Sequence, residues 1–273
     1  MKILLQTNRR NETQLLKEYN KLVESGFDVV PFGYIKKENV ISITGLEHIS
    51  EEEQTYTRVC IPVLRDLFIK GLKCDRVGFS NTIQYNARSF RLDSLPISEE
   101  LMNKTPNKFE SSFVLDVLDK VFDQNVFMKP NDDLKLFSGT IVPQGQTLRE
   151  TLLQKNELNY VLEHIASAVH CSSNLLDIEE EVRCYVVNKK VITISKYKST
   201  IDTELHIKQS EPYFEYAQNI INSVYAPSDN FTIDIAKLKN GSFKTIEYNC
   251  LTSSGLYNCD SKKLFTALKE YYY

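Results

Sequence analysis

The Asn-Gly pair at Asn240-Gly241 is the feature that most constrains how this chain can fold, because it lies between two apolar segments, residues 231–236 and 243–249. Both residues of the pair tolerate the positive φ angles of a type I′ turn, so the pattern predicts a β-hairpin with a two-residue loop. Such a loop fixes which residues of the two strands face each other. The predicted pairs are Lys239 with Ser242, Ala236 with Thr245, Asp234 with Glu247, and Thr232 with Asn249.

One face of the predicted hairpin is polar and the other is apolar. Side chains alternate between the two faces of a strand, so Asp234, Glu247 and Asn249 project from the same side. The opposite face is the natural core face, and its members are Ile233, Ile235, Ile246 and Tyr248. Directly opposed acids repel each other, and a hard cation such as Mg²⁺ would compensate their charge. We therefore expect a metal site, and the alternative is a solvent-exposed face with two surface acids.

The first hundred residues alternate between strand and helix patterns, which predicts a parallel α/β sheet. The predicted elements are a strand at 2–6, a helix at 11–24, strands at 27–32 and 40–44, a helix from a capping box at Ser50 and Glu53 to about residue 70, and a strand at 76–80. Pro96, Pro106 and the polar residues around them interrupt the pattern. We therefore predict a domain boundary near residue 100.

The remainder of the chain is richer in strands, so it predicts an α+β unit after the α/β unit. Its predicted helices cover residues 111–122, 147–170, 211–224 and 261–271. Its predicted strands cover residues 125–129, 140–142, 182–187 and 191–197, followed by the two strands of the hairpin.

Composition favours a soluble globular protein. Hydrophobic residues make up 42% and charged residues 25% of the chain, and the net charge of −3 gives no overall attraction to nucleic acid or membranes, although a local basic groove stays possible. No apolar run is long enough for a membrane helix or a signal peptide. The six cysteines form no CxxC pair, which favours reduced thiols in a cytoplasmic protein and gives no zinc motif.

The hairpin and the residues after it resemble the closing motif of ATP-grasp enzymes, in which an Asp strand turns back into a strand carrying Glu-x-Asn. Here the motif comprises Asp234, Glu247-Tyr248-Asn249, Ser253-Ser254 and Gly255-Leu256-Tyr257. The pattern is most similar to a small branch known mainly from phage and bacterial genomes, which has short chains and poorly defined substrates. The resemblance implies that Asp234, Glu247 and Asn249 bind Mg²⁺ that bridges the phosphates of ATP.

Two further segments resemble the same family. The segment VFMKP looks like the strand that ends in a nucleotide-binding lysine, here Lys129, and the loop at 131–139 stands where the family covers the phosphates. That loop has a single glycine, Gly139, so the resemblance assigns positive charge from Lys135 rather than a cradle of backbone amides. The alternative for Lys129 is a solvated lysine at a strand end.

The segment EEEVRCYVV looks like the strand after the adenine-binding hinge. The resemblance implies that Glu181 meets the ribose and that Arg183 contacts the phosphates or an acyl-phosphate, with Lys196 of the next strand joining them. The hinge is expected at 172–176, where Ser172 and Leu175 offer backbone groups to adenine. The alternative for Arg183 is a surface ion pair.

The family resemblance implies an N-terminal α/β pre-grasp domain at 1–100, followed by a two-lobed ATP-grasp domain at 101–273. Its lobes would cover about 101–175 and 176–273, with ATP between them. The implied activity is that of an ATP- and Mg²⁺-dependent ligase, which converts a small-molecule or peptide carboxylate into an acyl-phosphate for attack by an amine. Lys129 and Arg183 would then be the catalytic residues.

Two other functions remain open at the level of sequence. A phosphotransferase or nucleic-acid ligase could use the same nucleotide site, and it would need a basic groove near Arg88, Arg91, Lys104 and Lys108. A non-catalytic assembly protein could also keep the nucleotide pocket. No motif in the chain names the substrate.

Overall fold

The structure is a computed structural model. It describes residues 1–8, 12–50, 52–60, 63, 67, 72–74, 109–130, 136–163, 165, 167–173, 175–199, 207–223 and 226–273. Among these residues no helix is long and apolar enough to cross a membrane. The six cysteines are all free thiols.

The N-terminal sheet has the strand order β4-β1-β2-β3-β5. Its elements are β1 (Lys2–Gln6), α1 (Glu12–Glu24), β2 (Asp28–Lys37), β3 (Val40–Thr44), β4 (Thr55–Arg58) and β5 (Lys73–Cys74). The predicted β-α-β start is confirmed, because β1 pairs in parallel with β2 across the connection through α1. The sheet is not wholly parallel, since β2 and β3 form an antiparallel pair. The predicted strand at 76–80 lies outside the described residues.

The helix predicted from Ser50 is wrong over its first part. The amide N–H of Ser50 does donate to Glu53 Oε1 at 3.1 Å, as in a capping box, but a strand follows instead of a helix. Tyr56 of that strand is buried in the core, and the strand pairs in parallel with the edge of β1. Tertiary pairing therefore overrides the local helix signal.

The second sheet has the order β6-β9-β7-β8. Its strands are β6 (Phe109–Phe113), β7 (Val126–Pro130), β8 (Thr140–Val142) and β9 (Ala168–Ser172), and its helices are α2 (Val114–Val117), α3 (Leu148–Gln154) and α4 (Leu158–Leu162). The long helices predicted at 111–122 and 147–170 are therefore wrong in part. A strand begins the first segment and ends the second, because β9 pairs with both β6 and β7 and buries Val169 and Cys171 in the core of this lobe.

The third sheet has the order β11-β10-β12-β13. Its elements are β10 (Ile178–Val187), β11 (Lys190–Ser199), α5 (Ile207–Ser223), β12 (Phe231–Leu238), β13 (Phe243–Asn249), a 3-10 turn (Leu251–Ser253) and α6 (Ser261–Tyr272). All four strands and both helices predicted for this part of the chain are confirmed. Helix α5 covers one face of the sheet and buries an apolar core with Val182, Ile233 and Tyr248.

The turn at Asn240-Gly241 differs from the prediction, yet the central register is the predicted one. The amide of Gly241 donates to the carbonyl of Leu238 at 2.8 Å, and Gly241 has a φ of +85°, so the loop has three residues and ends in a left-handed glycine. Near the turn Ile235 therefore pairs with Thr245 instead of Ala236. A bulge at Ile246 then shifts the register by one residue, and Asp234 lies opposite Glu247 as predicted.

The N-terminal sheet and the third sheet share one hydrophobic core. Ile3 and Tyr56 of the first pack together with Tyr185 of the third and with Phe265 of α6. The second sheet has a separate core of its own. Among the described residues, Lys129 of the second sheet contacts Glu247 of the third, and the candidate site lies at this junction, which we call the cleft.

Candidate active site

A buried ion pair joins Arg183 of β10 to Asp234 of β12. Arg183 donates from Nε to Oδ1 and from Nη2 to Oδ2 of Asp234, each at 2.7 Å. The side chain of Asp234 is 0% exposed and that of Arg183 is 9% exposed. Burial raises the pKa of Asp234 while the guanidinium opposes that rise. The alternatives of a surface ion pair for Arg183 and a solvent-exposed Asp234 are therefore both wrong.

A second ion pair crosses the cleft between the two sheets. Lys129 Nζ of β7 lies 2.6 Å from Glu247 Oε2 of β13, and the two side chains are 24% and 31% exposed. Burial disfavours the charged carboxylate, but the ammonium of Lys129 and the hydrogen bonds from Lys129 and Asn249 hold the pKa of Glu247 well below its usual range. Lys129 is thus not a solvated lysine at a strand end, since it binds an acid on the opposite lobe.

The three predicted metal ligands contact one another. Asn249 Nδ2 donates to Glu247 Oε1 at 3.0 Å and approaches Asp234 Oδ2 at 3.4 Å. Glu181, two residues before Arg183 on β10, is also buried and contributes to the raised pKa of Asp234. One polar face therefore gathers three acids and an amide from three adjacent strands.

The chemistry of this face suits a hard divalent cation. Carboxylate and amide oxygens are the protein ligands that Mg²⁺ takes. Glu247 already binds one cationic group on this face, the ammonium of Lys129. Glu247 and Asn249 are partly exposed, whereas Asp234 is buried and accepts hydrogen bonds from Arg183. No group of three or more His, Cys, Asp or Glu side chains in the described part of the chain has metal-holding geometry. The candidate set instead depends on the amide oxygen of Asn249 beside the acids.

Tyr257 forms an outer wall of the site, a role that the sequence did not assign. The guanidinium carbon of Arg183 lies 5.4 Å from the centre of the Tyr257 ring, and this side chain is 47% exposed. A Cβ atom at Gly255 would approach the same ring at 3.1 Å. The Gly-x-Tyr pattern therefore has a physical reason, because any larger residue at position 255 would push the Tyr257 ring away from its place over Arg183 by a few tenths of an ångström.

The face of the second sheet that carries Lys129 offers an apolar surface and two buried polar residues. His170 lies directly opposite Lys129, and Phe127 lies between Ile141 and Ser172 in the neighbouring strands. Ile141 is 49% exposed, while His170 and Ser172 are buried. His170 was missed because the sequence predicts a helix at 147–170. Phe127 and Ile141 lie on strands that the sequence does predict, but no function was assigned to them.

The structure brings together only part of the predicted nucleotide site. Lys196 Nζ pairs with Glu180 Oε2 at 2.9 Å, and Lys196 lies opposite Val182 on the face that α5 covers, away from Arg183. Leu175 lies after β9 in the predicted hinge and is partly exposed. The remaining candidates lie outside the described residues, namely Lys135, Arg88, Arg91, Lys104 and Lys108.

Residues 107–267 match the family described as the ATP-grasp domain of R2K clade family 2. The match covers more than half of the chain, and the protein therefore belongs to the ATP-grasp family. The resemblance drawn from the Asp…Glu-x-Asn hairpin is confirmed by this match. No curated protein matches the chain in sequence.

Several solved structures are similar to this chain. They include D-cycloserine synthetase DcsG, at 12% identity over 100% of both chains and a TM-score of 0.53. D-alanine–D-alanine ligase from Bacillus anthracis complexed with ATP has 16% identity over 99% of this chain and 95% of that one, with a TM-score of 0.49. The RimK domain ATP-grasp protein from Sphaerobacter thermophilus DSM 20745 has 14% identity over 93% and 92%, with a TM-score of 0.46. At these sequence identities the similarity shows the fold alone.

Proposed function

We propose that this protein is an ATP- and Mg²⁺-dependent ligase that joins a carboxylate to an amine. The observation that carries the proposal is the contact of Lys129, from the second sheet, with Glu247 of the third sheet, which Asn249 also contacts. A cationic lysine and a set of oxygen ligands at the junction of two lobes suit the phosphates of a bound nucleotide. Membership of the ATP-grasp family supports the same assignment.

In the proposed reaction an oxygen of the substrate carboxylate attacks the γ-phosphorus of ATP, and ADP leaves. The amine then attacks the carbonyl carbon of the acyl-phosphate, loses a proton, and phosphate leaves. Lys129 would exchange its contact with Glu247 for the phosphate oxygens, and Arg183 would add positive charge beside them. The chemistry needs positioning and charge neutralisation more than a protein nucleophile.

Glu247 and Asn249 would hold Mg²⁺ by their oxygens, with Asp234 as the third candidate ligand. The fork from Arg183 fixes the orientation of the Asp234 carboxylate. When bound, the ion neutralises phosphate oxygens and orients them. Asn249 would have to turn its amide oxygen towards the cation, because its Nδ2 donates to Glu247 in the structure.

The nucleotide base would lie against Phe127 and Ile141, the apolar part of the second sheet. Ser172 and Leu175 would offer backbone groups to adenine, and Glu181 would meet the ribose. Lys135 remains a prediction for the phosphates. Lys196 remains one as well, but it would have to release Glu180 and leave the face of the sheet that α5 covers.

Nucleotide binding is expected to need a divalent metal, because Glu247 and Asp234 would otherwise repel the phosphates. We expect a non-hydrolysable ATP analogue to bind at least about 10-fold more tightly with Mg²⁺ than with EDTA, as measured by calorimetry. Equal affinities under the two conditions would remove the metal from the proposal.

Lys129→Met is expected to weaken binding of the Mg²⁺–nucleotide complex by roughly 10- to 100-fold, which is the range for losing a hydrogen bond to a charged group. The matched control is Lys239→Met, since Lys239 forms an exposed pair with Asp177 at the hairpin turn. The control should bind as the wild type does. Wild-type affinity in the Lys129 variant would exclude this lysine from the phosphate site.

The reaction itself is tested by an ATP-consumption screen over amino acids, peptides and small carboxylates, with mass analysis of the products. Formation of ADP and phosphate that requires both a carboxylate and an amine supports the ligase. Transfer of phosphate to an acceptor, or formation of AMP that depends on RNA, would support the phosphotransferase or nucleic-acid ligase instead. ATP turnover without any acceptor would favour the assembly protein.

A further inference from the structure

Arg58 is a fully buried arginine that links the N-terminal sheet to the loop after the candidate metal ligands. It is the last residue of β4 and is 2% exposed. Its Nη1 donates to the carbonyl of Leu251 at 2.7 Å, and its Nη2 donates to the carbonyl of Ser254 at 2.6 Å. Its Nε donates to Glu18 Oε1 of α1 at 2.8 Å. One guanidinium thus binds both ends of the 3-10 turn that follows β13.

That turn is tied in its own right to the strand that carries Asn249. The hydroxyl of Ser254 donates to the carbonyl of Cys250 at 2.8 Å and lies 3.0 Å from the hydroxyl of Thr232. Thr232 pairs with Asn249 across the hairpin. The contacts therefore run from Arg58 through Ser254 to the carbonyl of Cys250 and, through Thr232, to the carbonyl of Asn249.

Joining the two sheets does not by itself call for an arginine here. Ile3, Tyr56 and Phe265 already join them in an apolar core, and a buried charge carries a large desolvation cost. Burial disfavours the charge of Arg58, yet Glu18 and its other neighbours keep its pKa above the usual value. What the planar guanidinium adds is two carbonyl contacts in a fixed geometry.

We propose that Arg58 is a positioning residue for the Asn249 side of the metal–nucleotide site. It acts through the carbonyls of Leu251 and Ser254 and does not touch the ligand. The N-terminal sheet would thus set the geometry of the site on the third sheet. This inference rests on the proposed function.

The test is the variant Arg58→Lys, whose single ammonium cannot reproduce the two-carbonyl fork. Mn²⁺ is titrated into the protein with a saturating non-hydrolysable ATP analogue, and bound metal is followed by electron paramagnetic resonance. We expect the Mn²⁺ concentration at half-saturation to rise roughly 10-fold, at the low end of the range for residues that support metal ligands. Affinity for the analogue in EDTA should stay unchanged.

Two controls separate positioning from general destabilisation. Glu18→Gln removes the charge partner of Arg58 but leaves both carbonyl contacts, so it should lower the melting temperature without changing the Mn²⁺ titration. Arg149→Met breaks an exposed arginine contact, in which Nε and Nη2 donate to the carboxylate of Asp119, and it should leave the Mn²⁺ titration unchanged. A lowered melting temperature with a wild-type Mn²⁺ titration in Arg58→Lys would overturn the inference.

If Arg58→Lys does not fold, Ser254→Ala decides the question. That variant removes only the hydroxyl that ties the turn to Thr232 and Cys250, and it should shift the Mn²⁺ titration in the same direction. An unchanged titration in Ser254→Ala would then overturn the inference. Absence of metal-dependent analogue binding in the wild type is a different result, because the proposed function would then fail and the inference with it.

Discussion

Arg183→Met is expected to lower the free energy of unfolding by about 3–5 kcal/mol, the range for removing one partner of a buried ion pair. Asp234 is 0% exposed and both of its oxygens accept from Arg183, so the variant leaves a buried carboxylate without its counter-charge. Urea unfolding followed by circular dichroism measures the change. Arg183→Lys should fall between the variant and the wild type, because an ammonium cannot make both bonds of the fork.

The double variant Arg183→Met/Asp234→Leu is the decisive companion, since apolar replacement of a whole buried pair is often nearly neutral. It should regain most of the lost stability while losing metal-dependent nucleotide binding. The matched control is Arg149→Met, whose pair with Asp119 is exposed and whose effect on unfolding should be small. An effect of Arg183→Met no larger than that of the control would mean that the buried fork contributes nothing to folding.

Glu247→Gln is expected to reduce turnover by about 100-fold or more while the protein stays folded. The substitution keeps the shape of the side chain but removes the charge that would hold the cation, and losses of this size follow removal of one electrostatic group from an active site. Turnover is measured with the carboxylate and amine substrates that the ATP-consumption screen identifies. Stability is measured by thermal melting.

The expected melting behaviour of Glu247→Gln changes once the contacts are known. From sequence alone, removing one of two opposed acids should leave the melting temperature unchanged or raise it. In the structure Asp234 is compensated by Arg183 and Glu247 by Lys129, so we now expect a small decrease. Glu179→Gln is the control, because Glu179 pairs with Lys237 at the ends of the two central strands of the same sheet and should affect neither turnover nor nucleotide binding. Full turnover in Glu247→Gln would exclude this residue from the metal set.

The hairpin illustrates how far local sequence reasoning reached. The Asn-Gly pair and the alternation of side chains placed Asp234 opposite Glu247, and that pairing is confirmed. The assumed two-residue turn was wrong, and the register agrees only because a bulge at Ile246 offsets the longer loop. The position of a bulge depends on how the strand packs against β12 and α5. The local sequence of β13 does not predict that packing.

The same limit explains the missed strands. Residues 169–172 are all buried because β9 lies between β6 and β7. Residues 55–58 form a strand because they pair with β1. Both segments carried a helix pattern or a helix-capping signal in the sequence. Partners far along the chain outweighed these local preferences.

The sequence by itself determined the ATP-grasp hairpin, the order of elements after residue 178, and the residue types that could serve ATP and Mg²⁺. These features depend on side-chain period, turn residues and local order, which a linear chain records directly. Only the tertiary structure decided which of these side chains contact each other. Arg183 binds Asp234, and Lys129 binds Glu247 across the cleft. Arg58 binds the turn after Asn249. Each of these contacts joins residues on different strands or lobes, and its energy comes from burial and charge pairing that exist only once the sheets have packed together.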